Sequence, residues 1–185
     1  MSRLIVLLIA VVLAAGCSSV RVTQDYAKGA EFARYQAFAW ATPSHPESDD
    51  PRLANPLLHE RIHAAVEDGL RARGFRLVDA AEADLLMRYH TAVRSRVEYQ
   101  RSGVTIGTGY YSGRVGYGLA LDYPYGSRDY DEGTLIIDFL DPATGDLVWR
   151  GTGVRPLEET PTPERRDEIV RDVVERILAQ YPPTK

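Results

Sequence analysis

Residues 85–99 alternate between apolar and polar side chains, and no other pattern limits the possible folds of this chain as strongly. One face of an extended strand would carry Leu85, Met87, Tyr89, Thr91, Val93, Val97 and Tyr99. The opposite face would carry Arg88, His90, Arg94, Arg96 and Glu98. Successive side chains of a strand point to opposite sides, so the segment is predicted to be one long strand with a buried face and a solvated face.

Two other segments have helical spacing. Asn55 and Pro56 suit an N-cap and a first helical position, and Gly74 suits the end of the same helix. The apolar residues between them recur along one helical face: Leu58, Ile62, Ala65, Val66 and Leu70. A second helix is predicted from Pro163 to Gln180, with Ile169, Val173, Ile177 and Leu178 on one side and Pro182 after its end.

The remaining regular segments read as strands. Short strands are predicted at residues 20–23 and 35–40, and residues 133–140 and 147–150 flank a turn that contains Pro142 and Gly145. Two one-faced helices and a largely antiparallel sheet can bury their apolar surfaces only against each other. The sequence therefore predicts an α+β fold, a two-layer sandwich of a mainly antiparallel β-sheet with two helices packed on one face.

The amino terminus has the form of a secretory signal. Arg3 precedes an apolar run from Leu4 to Val12, and small residues then lead to Cys17. The run is shorter than the roughly 20 residues that span a bilayer, so residues 1–16 are predicted to be a cleaved signal peptide and residues 17–185 a single domain.

The small residues 14–16 before Cys17 resemble the bacterial lipobox, in which the cysteine becomes the lipid-modified amino terminus. Cys17 is the only cysteine, so it has no intramolecular disulfide partner. The alternative is an ordinary cleaved signal followed by a free thiol. The resemblance implies membrane attachment through lipid on Cys17, and Ser18 is compatible with sorting to the periplasmic face of the outer membrane.

The numbers of basic and acidic residues argue against some classes of binding partner. The chain has 22 Lys and Arg against 26 Asp and Glu, a formal net charge of −4. No basic run suggests nucleic acid or an anionic lipid surface as a partner. Attachment to a membrane is therefore predicted to depend on the lipid.

A segment rich in glycine and tyrosine, at about residues 101–131, stands apart from the periodic elements. It is predicted to be an arm or loop. Tyrosine combines a flat apolar ring with a hydrogen-bonding hydroxyl, which suits a glycan or a protein partner. The candidate binding residues are Tyr110, Tyr111, Tyr117, Tyr123 and Tyr125. The alternative is a segment whose tyrosines only cover the neighbouring sheet.

One short motif matches a metal site. The sequence from His59 through Glu60 to His63 fits H-E-x-x-H, which in zinc peptidases puts two imidazoles on one helical face beside a catalytic carboxylate. A charged Arg61 and the absence of the third histidine of the extended motif weaken the match. We therefore expect no metal or other cofactor, and two histidines at the edge of the core.

Asp138 lies within the apolar strand at residues 133–140. A carboxylate in that environment needs a hydrogen-bonding or charged partner, because burial without one is costly. We predict pairing with an arginine or a backbone amide, not catalysis.

Three strings carry a family resemblance: residues 83–89 (ADLLMRY), 132–138 (EGTLIID) and 147–151 (LVWRG). With residues 35–40 and 181–183 they resemble the bacterial lipoproteins grouped as domain-of-unknown-function 4136. The resemblance covers nearly all of residues 17–185. It implies a lipid-anchored envelope protein and supplies no catalytic residues.

Together these observations favour a non-enzymatic binding or structural module of the cell envelope. Two alternatives stay open: a periplasmic zinc-dependent hydrolase that uses His59, Glu60 and His63, and a peptidoglycan or glycan binder that uses the tyrosine-rich segment.

Overall fold

The computed structural model describes residues 20–45, 48, 50–99, 105–111, 114–120 and 127–183. The predicted signal peptide and Cys17 lie outside these ranges. The strands are β1 (Arg21–Tyr26), β2 (Ala37–Trp40), β3 (Arg76–Leu77), β4 (Leu85–Tyr99), β5 (Thr105–Tyr111), β6 (Arg114–Ala120), β7 (Ser127–Leu140) and β8 (Leu147–Pro156). The helices are α1 (Pro56–Arg71) and α2 (Pro163–Leu178), with a short 3-10 helix at Phe32–Arg34.

Six strands form one open sheet in the order β1-β8-β7-β4-β2-β3. The pairs β1–β8, β8–β7 and β7–β4 are antiparallel, and β2 pairs in parallel with β4 and β3. The predicted hairpin is confirmed as β7 and β8, joined by a turn in which Gly145 has a φ of 76°. That positive φ is a conformation that glycine adopts without steric cost.

Both helices begin where the sequence predicts. The Asn55 side chain accepts a hydrogen bond from the Leu57 amide (3.0 Å), and the Thr162 side chain accepts one from the Arg165 amide (3.2 Å). Each cap satisfies an amide that has no partner within the helix, and a proline follows each cap. In the part of the chain that the structure describes, no helix is both long and apolar enough to cross a membrane.

The core lies between the helices and one face of the sheet. The sheet contributes residues at alternate positions, with exposures of 1% or less for Met87, Tyr89, Ile137, Phe139 and Trp149. The helices contribute Ile62, Val66, Leu70, Val173, Val174, Ile177 and Leu178. This arrangement confirms the predicted two-layer α+β sandwich.

Close approach of α2 to β8 depends on glycine. A Cβ atom at Gly151 would collide with the Trp149 ring and with Ile177, and one at Gly153 would press on Val173 and Ile177. The missing side chains let the helix lie directly on the strand. The string at residues 147–151 therefore combines the largest core side chain with the space for a helix.

The limits of the tyrosine-rich segment differ from the prediction. β7 begins at Ser127, not near Gly133, and pairs with β4 as far as Tyr99 opposite Ser127. Residues 127–131 are therefore part of the main sheet, which overturns their assignment to an arm or loop. They alternate across β4 as regular strand residues do, and the polar composition of the segment concealed this pairing. Within the segment, β5 and β6 pair with each other as a two-stranded antiparallel ribbon.

Candidate functional site

The two histidines of the H-E-x-x-H motif lie one turn apart on α1, and both are partly buried. His59 Nδ1 is hydrogen bonded to the Tyr89 hydroxyl (2.5 Å), and His63 Nε2 is hydrogen bonded to Ser44 Oγ (3.1 Å). Glu60 is exposed. The helix thus directs the histidines toward the sheet while the glutamate of the motif faces solvent.

A third histidine joins them. The His45 ring stacks on His59 at a centroid distance of 3.8 Å, and its Nδ1 lies 3.2 Å from Ser44 Oγ. We call His45, His59, His63 and Tyr89 the histidine–tyrosine cluster. Sequence analysis missed His45 as a member because no periodic element contains it. Ser44 links two of the imidazoles, so the cluster attaches the loop after β2 to α1 and β4.

Burial shifts the pKa of three members of the cluster, His59, His63 and Tyr89. Desolvation lowers the pKa of His59, and the neighbouring His45 lowers it further. Desolvation is also the main cause of the lowered pKa of His63. Burial raises the pKa of the Tyr89 hydroxyl. His59 and His63 are therefore neutral at pH 7, and Tyr89 keeps its proton.

The chemistry of the cluster is that of a packed polar network. Trp40 stacks on His63 at 3.8 Å, and its indole Nε1 donates to Glu67 (3.0 Å). Over the described ranges, no group of three or more His, Cys, Asp or Glu side chains is placed to hold a metal ion. The cluster joins a loop, a helix and the sheet.

A cleft between the helices and the sheet is a second candidate site. Its volume is about 440 Å³, within the roughly 300–1,000 Å³ usual for ligand pockets. Apolar side chains from α1, α2, the sheet and the loop after β8 line it: Leu58, Ile62, Val93, Leu135, Leu157, Ile169, Val170 and Val173. Ile169 was predicted to lie on the core face of α2 but is only partly buried, because it borders this cleft.

Three of the arginines that line the cleft, Arg52, Arg61 and Arg155, have carboxylate partners. Arg61 of α1 forms an ion pair with Asp167 of α2, and Arg155 bonds Glu158 at 3.0 Å. Arg52 bonds Asp131 at 2.6 Å. These pairs link the elements around the opening. Their mutual neutralisation leaves an apolar interior behind a charged rim.

Asp138 lies on the opposite, helix-free face of the sheet and has no exposed surface. Arg150 donates to both of its carboxylate oxygens, at 2.6 and 2.7 Å, and His90 Nε2 lies 3.3 Å away. This confirms the predicted pairing with an arginine. The hydrogen bonds from Arg150 raise the pKa of its own guanidinium.

The structure describes only some of the other predicted site residues. Tyr110 and Tyr111 belong to β5 and Tyr117 to β6, where the register sets Tyr110 opposite Val115 and Thr108 opposite Tyr117. Tyr123, Tyr125 and Cys17 lie outside the described residues. A binding role for the tyrosines stays a prediction.

Residues in the segments that carry the family resemblance stabilise the fold by hydrogen bonding and packing. Asp84 accepts hydrogen bonds from the Gln36 and Ala37 amides (3.0 and 2.9 Å) and so holds the start of β2. Trp149 is fully buried and donates to Gln24 (3.0 Å). Tyr181 packs edge-on against Phe139 and Trp149.

A family model described as "Domain of unknown function (DUF4136)" matches residues 22–183. The chain belongs to this family. The match covers every element of the fold described above except Arg21, the first residue of β1, and the strings that carry the resemblance supply core residues and strand ends. No curated protein is similar enough to match.

Several solved structures are similar to this DUF4136 chain. A PDZ domain protein from Parabacteroides distasonis is 20% identical with a TM-score of 0.54; the match covers 90% of this chain and 37% of that one. A DUF4136 family protein from Bacteroides thetaiotaomicron is 18% identical with a TM-score of 0.49, covering 89% and 97%. The PelC dodecamer from Paraburkholderia phytofirmans is 12% identical with a TM-score of 0.48, and the match covers 90% of this chain and 99% of that one. This chain therefore spans little more than a third of the first structure. At these identities the likeness concerns the fold alone.

Proposed function

We propose that this DUF4136 protein is a non-enzymatic binding module of the cell envelope, tethered by lipid on Cys17 to the periplasmic face of the outer membrane. The cleft between the helices and the sheet is its binding site. The observation that carries the proposal is the apolar lining of that cleft behind a rim of paired charges. A protein partner or an envelope component with an exposed apolar group is the expected ligand.

The proposed lipid attachment is inferred from the sequence that precedes β1. An apolar run, small residues and a lone cysteine precede β1, with Ser18, Ser19 and Val20 between Cys17 and the first strand. Such a short connection would hold the domain close to the bilayer, because each extended residue spans at most about 3.6 Å. Two or more acyl chains are needed for stable anchoring, as a single chain binds only marginally.

The cleft suits binding better than catalysis. Its rim side chains Arg61, Arg155 and Arg52 already have carboxylate partners among the described residues. Paired charges of this kind fix the shape of an opening and select against poorly matched ligands. The apolar interior supplies the affinity, since burial of apolar surface is the main favourable contribution to most associations.

A photocrosslinking experiment in intact cells tests the proposal. A benzophenone amino acid replaces Ile169, which borders the cleft, or Leu147, which is 38% exposed at the β7–β8 turn and serves as the control. The Ile169 probe should yield a defined adduct that Leu58→Asp in the same chain removes. The Leu147 probe should yield none. Equal labelling at the two positions, or an adduct that persists with Leu58→Asp, would contradict the proposal.

A further inference from the structure

The helix-free face of the sheet gathers three arginines at the end where the chain enters the fold. Arg21 is the first residue of β1, and Arg94 and Arg96 share one face of β4. They border a hollow of about 420 Å³ whose other lining residues are Thr23, Ala92, Glu132, Thr134, Ile136 and Val154. We call Arg21, Arg94 and Arg96 the basic patch.

A single carboxylate holds this group together. Glu132 is 6% exposed, and its two oxygens accept from Arg21 Nη2 (2.9 Å) and Arg96 Nε (3.0 Å). Arg94 stands opposite Glu132 in the β4–β7 register. Among the residues that line the hollow, three positive charges surround one negative charge and leave an excess of two. The side chains of Arg21 and Arg96 remain 72% and 57% exposed, so their free donors are available to a ligand.

The position of the basic patch in the chain determines which surface it can contact. Arg21 follows Cys17 by four residues. Even a fully extended connection therefore keeps the Arg21 Cα within about 14 Å of the cysteine. A lipid on Cys17 lies at a bilayer surface, and the arginine side chain covers much of the remaining distance.

We propose that the basic patch docks on the anionic phospholipid headgroups of the membrane that holds the anchor, with the helix-free face of the sheet turned toward the bilayer. Guanidinium groups match phosphate geometry with paired donors. The proposal rests on the tether of the proposed function for its geometry, but the attraction itself needs no lipid on the protein.

This orientation has a consequence for the cleft. The cleft opens on the helix side of the same sheet, and the patch lies on the other side. A domain seated on the patch therefore presents the cleft away from the headgroups and toward the periplasm. Tether, patch and cleft would then act together to position a binding site.

The test uses the mature chain, residues 17–185, with Cys17→Ala, so that no lipid is attached; the described fold begins at Val20 and keeps all its contacts. Cosedimentation compares vesicles of phosphatidylcholine with vesicles that contain 30% phosphatidylglycerol. The chain should prefer the anionic vesicles, and Arg94→Gln with Arg96→Gln should lower that partition by about 25-fold, because each basic residue at an anionic surface contributes about fivefold. High salt should have the same effect.

Arg73→Gln with Arg76→Gln is the matched control, since both side chains are exposed and lie after α1, outside the patch. It should leave the partition unchanged. In the patch variant, Glu132 keeps Arg21 as a partner, and circular dichroism checks that the fold is retained. Equal partition onto the two kinds of vesicle, equal loss in the control pair, or salt-dependent binding to isolated peptidoglycan in place of anionic vesicles would overturn the proposal. Failure here leaves acylation and cleft crosslinking untouched, so the two proposals are tested separately.

Discussion

Arg150 and Asp138 face each other on neighbouring strands, and the arginine donates two hydrogen bonds, of 2.6 and 2.7 Å, to a carboxylate that is completely buried. The pair lies on the face of the sheet that no helix covers. Arg150 itself is 41% exposed, so its guanidinium shields the carboxylate from water while remaining partly hydrated. Removal of one member of a buried ion pair strongly destabilises the fold, because the other charge is then left buried without a partner.

Arg150→Met should therefore lower the free energy of unfolding by about 3 kcal/mol, because it leaves Asp138 buried without its main partner. Arg176→Met is the control: Arg176 pairs with Asp172 one turn away on α2, and both are about 40% exposed. Exposed pairs of that type contribute about 0.5 kcal/mol. Urea unfolding measures both variants. Equal losses would show that Asp138 is compensated by other groups.

Cys17→Ser should abolish acylation and release the protein from the membrane or halt its maturation, since the sulfur is the predicted attachment atom. Metabolic labelling with a palmitate analogue and membrane fractionation measure the two effects. Labelling of the variant equal to that of the parent chain would disprove the anchor. The fold should be unaffected, because the described contacts begin at Val20.

Stability should fall as pH drops below about 6.5, the ordinary histidine pKa. Desolvation lowers the folded-state pKa of His59 and His63. The unfolded chain then binds protons more readily, so their contribution is complete above 6.5 and is lost as pH falls through the lowered values. Urea midpoints between pH 8 and pH 5 measure the slope. His63→Gln should reduce it; an unchanged slope would remove His63 from the explanation.

The purified mature chain should contain no stoichiometric zinc. His59 and His63 each have one ring nitrogen bonded to Tyr89 or Ser44, and Glu60 is exposed. Elemental analysis after dialysis against zinc provides the measurement. One zinc per chain that is lost in His63→Gln would restore the hydrolase alternative.

Replacing residues 101–126 with a short Gly/Ser linker should cost about 1 kcal/mol or less, because loop-closure entropy changes slowly with length and the β4–β7 ladder stays complete. If the tyrosines bind a partner, pull-down with isolated peptidoglycan or envelope proteins should fail for this variant while it remains folded.

Replacing 101–131 serves as the comparison for that deletion. It also removes Asp131, which accepts from Arg52 (2.6 Å) and Ser95 (2.6 Å), so it should cost about 2 kcal/mol more. Urea unfolding of the two variants checks the difference. Equal stabilities would mean that residues 127–131 contribute nothing to the sheet, contrary to their pairing.

Much of the fold was predictable because its signals are local. The cap at Asn55 and the prolines at positions 56 and 163 define where the helices begin without reference to the rest of the chain. Alternation in β4 likewise marks its buried face. The start of β7 at Ser127 was not predictable, because residues 127–131 are polar and become strand only by pairing with 95–99.

The candidate sites divide in the same way. The lone Cys17, the H-E-x-x-H spacing and the need of Asp138 for a partner are properties of the sequence by itself, and so are the helices, the hairpin and the α+β class. Only the tertiary structure brought His45 to His59, opened the cleft, and set Arg21 beside Glu132, 111 positions away. Local patterns reflect the periodicity of one element, whereas these groupings depend on which strands pair and in what register, and that is decided by the packing of the whole sheet against its two helices.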